Sequence, residues 1–268
     1  MAVAEAKRAG QSDWVERAGR IGLAAKGAIY AVIALLALQI PLGLGGETTD
    51  KDGALRSVAE QPFGEVLLIA LALGFAAYAL WRFVQAVLDR DREGTDPKGL
   101  AKRAGHFGSG LIYAASCVAA TAFVIGGGSG GGNEKKETAR VFDLPLGRWI
   151  VLAAGLGFLG AGAFFVYRAV SRKFREDLRE HEMHSDVRPW AIRVGVVGYA
   201  ARGLVFGLIG VFLLKAAIEY DAKEAIGLDG ALLKLSQQSY GNFLLGLVAA
   251  GLLAYALYCF VQARYRRI

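Results

Sequence analysis

Residues 17–44 read RAGRIGLAAKGAIYAVIALLALQIPLGL, and this stretch returns twice along the chain. Aligning Tyr30 with Tyr113, 83 residues on, places Arg20, Gly22 and Gly27 on Arg103, Gly105 and Gly110. Aligning Lys26 with Arg202, 176 residues on, places Arg17, Gly19, Gly22, Gly27 and Tyr30 on Arg193, Gly195, Gly198, Gly203 and Phe206. Each copy is followed by a second apolar stretch that repeats as well. Gly64, Gly74, Phe75 and Trp81 recur as Gly147, Gly157, Phe158 and Phe164. Gly64, Gly74, Tyr78, Trp81, Phe83, Val84, Gln85 and Ala86 recur as Gly241, Gly251, Tyr255, Tyr258, Phe260, Val261, Gln262 and Ala263. Near-constant offsets across both stretches define one two-span unit used three times.

Each span is long enough to cross a bilayer. A hydrocarbon core of ~30 Å takes about 20 apolar residues of helix. Six segments meet that length, at roughly 22–44, 64–87, 105–126, 148–170, 195–217 and 242–262. The 54% hydrophobic content and mean hydropathy of +0.38 over 268 residues agree. Buried helices of a soluble protein would be shorter and would carry polar residues at every turn. The expectation is therefore an all-α polytopic membrane protein. Residues 1–13 are expected to form a disordered tail, followed by repeats at 14–93, 98–180 and 190–268. The first apolar run is too long for a cleaved signal and follows about twenty charged and polar residues, so it reads as an anchor.

The formal net charge of +7 is unevenly spread. Segments 1–20, 88–104, 171–193 and 263–268 hold 18 Lys and Arg, against seven in the alternate loops 45–63, 127–147 and 218–241. That is a positive-inside pattern over short loops. It puts both termini in the cytoplasm of a bacterial cell with the protein in the inner membrane, and it makes anionic headgroups the partners of the basic loops. Nucleic acid is not needed to account for the charge. A membrane protein partner is compatible with the pattern.

An even number of spans per unit gives all three the same orientation, and parallel repeats are related by rotation about the membrane normal. A pseudo-threefold bundle of six helices follows. Asp52-Gly53-Ala54-Leu55 and Asp229-Gly230-Ala231-Leu232 read as starts of short amphipathic helices on the outer surface, the first capped by Asp52. The middle copy is weaker, with Thr138, Ala139, Val141 and Phe142 after a Gly-rich linker, 126–133. Trp14 reads as an anchor at the inner interface.

The candidate site residues come from repeat-equivalent positions. Lys26, Ser109 and Arg202 are aligned, so two repeats place a cation about six residues, or ~9 Å, inside the helix start. Snorkelling to headgroups would accommodate both cations; the competing reading turns them inward as an anion site. Gly22, Lys26 and Tyr30 share a helix face, as do Gly105, Ser109 and Tyr113. On the second helix Gln85 and Gln262 occupy one position, which Arg168 fills in the middle unit. The candidate ligand-binding set is Lys26, Arg202, Tyr30, Tyr113, Arg168, Gln85 and Gln262.

No catalytic residues are expected. The chain has no paired intramembrane carboxylates, HExxH or CxxC. His181-Glu182-Met183-His184 is better read as a solvated charged loop than as a metal site, and His106, present in one repeat, as interfacial. Cys117 and Cys259 fall inside spans at different repeat positions, so neither a disulfide nor a metal is expected, and no cofactor is implied.

These features resemble the bacterial membrane family called domain of unknown function 1206. Its three tandem two-helix units carry a Gly-x4-Gly-x2-Tyr/Phe pattern, here Gly22, Gly27, Tyr30, then Gly105, Gly110, Tyr113, and Gly198, Gly203, Phe206. A Gly-Ala-Leu element leading to Pro-Phe-Gly is matched by Gly53-Ala54-Leu55, Gly230-Ala231-Leu232 and Pro62-Phe63-Gly64. The middle unit lacks Gly-Ala-Leu, and Pro145-Leu146-Gly147 replaces Phe with Leu. The resemblance implies the architecture and brings no activity. Mitochondrial carriers share a three-by-two plan, but their Pro-x-acid-x2-base signature is missing here.

Two functions remain open on the sequence. One is a structural or interaction protein, a scaffold or lipid-contacting subunit, with Lys26 and Arg202 turned to lipid. The other is a carrier or binder of a small anionic or amphipathic molecule, with those cations facing a pocket that opens to the cytoplasm on the pseudo-threefold axis.

Overall fold

A computed structural model describes residues 13–44, 51–60, 64–89, 94–125, 134–144 and 146–266. The tail 1–12, the Gly-rich run 126–133, Pro62-Phe63 and Pro145 lie outside the described residues, as does the side chain of Trp14. Every regular element among the described residues is helical. In chain order the α-helices are α1 (Asp13–Gln39), α2 (Lys51–Ala59), α3 (Gly64–Leu88), α4 (Pro97–Val124), α5 (Glu134–Phe142), α6 (Gly147–Ser171), α7 (Val187–Glu219), α8 (Leu228–Ser236) and α9 (Gly241–Tyr265), with short 3-10 turns at Lys173–Asp177, Glu180–Glu182 and Ala222–Glu224. Six of these, α1, α3, α4, α6, α7 and α9, are long and apolar enough to cross a membrane. The order is long–short–long three times over. The protein is a multi-pass membrane protein of three tandem helical hairpins.

The three short helices occupy equivalent places. All precede a span that begins with an aligned glycine, Gly64, Gly147 or Gly241. A Cβ on these would lie 2.4 Å from the Ala59 carbonyl oxygen, 1.8 Å from that of Val141, and 1.8 Å from that of Ser236. The last turn of the short helix therefore rests on the start of the next span, and only glycine admits that approach. The middle short helix, weak in sequence, is formed like the others. Phe142 at its end is buried in a cluster with Val151, Ala216, Ala217 and Ala225, and Tyr220 donates a hydrogen bond to the Phe142 carbonyl at 3.1 Å. Asp52 is the second residue of α2 rather than its cap; the helix starts one residue earlier than the apolar pattern signals.

The chain divides into two compact units. One comprises Met1–Ala28, Leu55–Ser129 and Cys259–Ile268; the other comprises Ile29–Ala54 and Gly130–Tyr258. In the first, α1 and α3 meet through small residues: a Cβ on Gly74 would sit 2.4 Å from the Ala25 Cβ, and one on Gly22 2.3 Å from the Tyr78 Cβ. Gly110 of α4 gives the same close access to the Phe83 ring of α3. The second unit repeats the hairpin seam with Gly251 against Ala201 and Gly198 against Tyr255. It also brings α6 and α7 into near backbone contact where Gly162 faces Gly203 and Gly207. Small residues at the crossings let van der Waals packing hold helices together where water gives no hydrophobic drive.

Helix ends are tied by arginines. Arg103 Nε donates to the Ala86 carbonyl at 2.8 Å and its Nη2 to Val87 at 3.1 Å, closing the end of α3. The aligned Arg20 does the same for α9, at Ala263 (3.0 Å) and Arg264. In the second unit Arg148 closes α7 through Ala217 (2.8 Å) and Ile218 (3.1 Å). Each side chain satisfies carbonyls that a helix terminus leaves open and opposes the negative end of its dipole.

Candidate functional site

The aligned cations pack against tyrosine rings. Lys26 is only 5% exposed, and its Nζ lies 5.5 Å from the Tyr78 ring centroid. Position 26 faces α3 because Gly22, one turn earlier, lets Tyr78 approach the backbone of α1. Arg202 of the second unit repeats the arrangement on the aligned Tyr255: its guanidinium donates to the Tyr255 hydroxyl and sits 4.9 Å from that ring. Three more rings surround it, Phe165 at 4.4 Å, Phe206 at 5.0 Å and Tyr30 at 5.6 Å. Cation–π attraction is worth about 0.5–1 kcal/mol at exposed sites and ~2 or more when desolvated. Lys26 is thus buried against a ring of α3, and Arg202 packs among four rings.

The candidate residues fall into two groups. In the first unit Lys26, Gln85, Tyr113 and Gln262 accompany the buried Tyr78 and Trp81. Tyr113 meets Tyr78 edge-on at 4.4 Å, and Gln85 and Gln262 are each 2% exposed. In the second unit Arg202, Tyr30 and Arg168 accompany Tyr199 and Tyr255. Tyr30 meets Tyr255 edge-on at 5.1 Å, the counterpart of the Tyr113–Tyr78 pair. Arg168 is bound to Asp177 and lies 5.3 Å from the Tyr199 ring, so a loop carboxylate already answers its charge.

Arg82 belongs to the first group and is absent from the candidate set. Its Nε and Nη2 donate to the Tyr78 hydroxyl at 3.1 and 2.7 Å, and Nη1 donates to Gln85 Oε1 at 3.0 Å. Nη1 also lies 2.8 Å from His106 Nδ1. Guanidinium has no acceptor, so in this contact Nδ1 accepts. His106 therefore joins the Arg82 group. The available signal was Tyr78-x3-Arg82, one helical turn apart. It was obscured because repeat alignment gives Phe165 and Cys259 at that position.

The loop between α6 and α7 is structured. Phe174, fully buried, stacks on Tyr199 at 5.4 Å and 20° and meets Tyr258 edge-on at 5.3 Å. The Tyr258 hydroxyl donates to the Phe174 carbonyl at 3.3 Å. Glu180 accepts from Arg175 at 2.7 Å and pairs with Arg188 at 2.7 Å; the Arg175 hydrogen bond foremost holds the Glu180 carboxyl below its ordinary pKa. His181 and His184 are exposed and lie beside Glu182 and Asp186. Among the described residues no three His, Cys, Asp or Glu gather as a metal site. Cys117 and Cys259 are not joined in a disulfide.

Comparison with known proteins adds three findings. The family model described as Domain of Unknown Function (DUF1206) matches three times, at residues 21–89, 104–172 and 197–266. An uncharacterized protein of Bacillus subtilis (strain 168), YxxB, is 31% identical over 255 residues, spanning 95% of this chain and 92% of its own length. No solved structure matches the chain significantly.

Proposed function

The chain belongs to the DUF1206 family, and from that premise and the geometry above we propose that it is a membrane-embedded binder of an anionic or amphipathic molecule rather than an enzyme. The observation that carries this reading is the inward turn of Lys26. A lysine 5% exposed within a span bears the cost of an intramembrane charge, on the order of 2.5–3.5 kcal/mol on insertion scales, without the relief of reaching headgroups. Arg82 lies in the same group, and the spans hold no Asp or Glu at 17–39, 66–88, 97–124 or 241–265. An anion is the class of ligand that Lys26 and Arg82 together would favour. The positive-inside pattern supports a cytoplasmic setting for this end of the spans in a bacterial inner membrane, where anionic lipids and metabolites are the available ligands.

A structural or scaffolding role is the second reading, and the four rings around Arg202 favour it, since aromatic packing already encloses that guanidinium. Binding of decanoate and of an alkyl phosphate to the purified protein separates the two. Lys26→Met is expected to weaken binding about tenfold or more (one 1.4 kcal/mol step). Binding indifferent to Lys26→Met and to Arg202→Met would leave only the scaffold.

A further inference from the structure

We propose that the turn Lys173–Asp177, between α6 and α7, is a built-in stand-in for an amphipathic carboxylate. Phe174 and Asp177 fill a site in the second unit that an outside molecule, carrying an apolar group and one acid, takes when the turn lifts. This rests on the binder reading and names a ligand and its gate. The turn is a 3-10 helix, in which side chains three residues apart eclipse, ~6 Å along the axis. Phe174 and Asp177 have that spacing, so a ring and a carboxylate share one face.

That face is the docked one. The Phe174 ring is fully buried, stacks on Tyr199 at 5.4 Å and meets Tyr258 edge-on at 5.3 Å. It also lies on bare backbone of α7, where a Cβ on Gly195 would stand 2.5 Å from it. Asp177 is paired with Arg168, whose guanidinium is 5.3 Å from the same Tyr199 ring. One tyrosine thus borders both the apolar group and the ion pair. The other residues of the turn point elsewhere: Lys173 lies over the exposed Tyr167 at 5.2 Å, and Arg175 pairs with Glu180 at 2.7 Å.

The docked contacts can exchange. The Arg168 and Asp177 side chains keep 20% and 30% exposure, so solutes reach the pair, and ion pairs open to water hold weakly. The turn is bounded by Arg172, left-handed at φ 54°, and by Leu178 in extended backbone; rotation at these two points would lift it. Beyond it Leu178 is buried and Glu180 keeps Arg188 at 2.7 Å when Arg175 leaves, so the rest of the loop stays seated. The room a ligand needs is the room that Phe174 and Asp177 vacate. A carboxylate replaces Asp177 like for like on the guanidinium fork, and a tyrosine ring packs against an aromatic group as it does against Phe174.

The test uses the purified full-length protein and hydrocinnamate, a phenyl ring on a short acid, with the corresponding alcohol as the uncharged control. A docked turn competes with the ligand and lowers its apparent affinity by the fraction of time the turn is lifted. D177N, which keeps the buried ring, and F174A, checked for folding by circular dichroism, should each bind hydrocinnamate at least tenfold tighter than wild type by calorimetry. R168Q added to D177N should abolish the gain, and the alcohol should show none. In wild type, saturating hydrocinnamate should speed tryptic cleavage after Lys173 and Arg175. Equal affinity in wild type, D177N and F174A, a gain that survives R168Q, or cleavage that is unchanged or slowed overturns the proposal. Decanoate binding that depends on Lys26, without that gain, overturns it while leaving the binder reading intact. No anion bound by any of these proteins overturns both.

Discussion

Substituting alanine at three aligned glycines should give two opposite outcomes. At Gly22 a Cβ would stand 2.3 Å from the Tyr78 Cβ and 2.6 Å from its Cα, and at Gly198 2.5 Å from the Tyr255 Cα. Carbon atoms settle at about 3.5–4.0 Å, and neither Cα nor Cβ can be moved by a side-chain rotation. The helices must part by about an ångström, an overpacking cost of about 1–3 kcal/mol, offset by up to ~1 kcal/mol of improved helix propensity. The net expectation is a loss of ~1–2 kcal/mol at Gly22→Ala and Gly198→Ala. At Gly105 a Cβ would meet no described atom within 4 Å. Gly105→Ala should be neutral or stabilising by up to ~1 kcal/mol. Unfolding in a mild detergent titrated with dodecyl sulfate, followed by circular dichroism, would read the difference. Equal effects at all three positions, or the largest loss at Gly105, would refute the reasoning.

Arg148→Ala removes two bonds to the end of α7 and is expected to cost about 1–2 kcal/mol in the same assay; no change would mean that water caps that end equally well. Phe174→Ala empties a fully buried position between Tyr199 and Tyr258 and should cost about 3–5 kcal/mol, with trypsin cutting the 171–186 loop faster; unaltered cleavage would show that the ring does not hold the loop. Because the Glu180 carboxyl is held below its ordinary value by Arg175 and then Arg188, its contribution is complete above the unfolded glutamate pKa, about 4.3. It fades as pH falls through the lower folded value. Glu180→Gln should therefore be less stable than wild type at pH 7 and converge with it in acid; a constant gap across the titration would contradict that.

The six spans and their threefold repetition were legible because bilayer crossing imposes long apolar runs, and because Gly64, Gly147 and Gly241 have no tolerated substitute beside a carbonyl. The short helix α5 was less legible: its burial comes from Phe142, Ala216 and Ala225, far apart in sequence. The depth of Lys26 and Arg202 could be counted along the helix, but their direction could not. Snorkelling and inward burial share one spacing, and the tyrosines against which the two cations pack lie 52 and 53 residues away. Arg82 was hidden for the opposite reason. Repeat comparison weights what recurs, and the Arg82–His106 contact exists in one unit alone. The loop 171–186 read as solvated because its charges are visible in sequence while the stacking of Phe174 on Tyr199 is not.

Parallel insertion of three hairpins with their basic ends on one side is the claim beneath the site's placement, and cysteine labelling tests it most directly. In a background with Cys117 and Cys259 replaced by serine, single cysteines at Arg56, Arg140 and Lys234 should react with an impermeant maleimide in intact bacteria. Those at Lys98, Arg172 and Arg264 should react only after the membrane is opened. Labelling that alternates from one repeat to the next would contradict it.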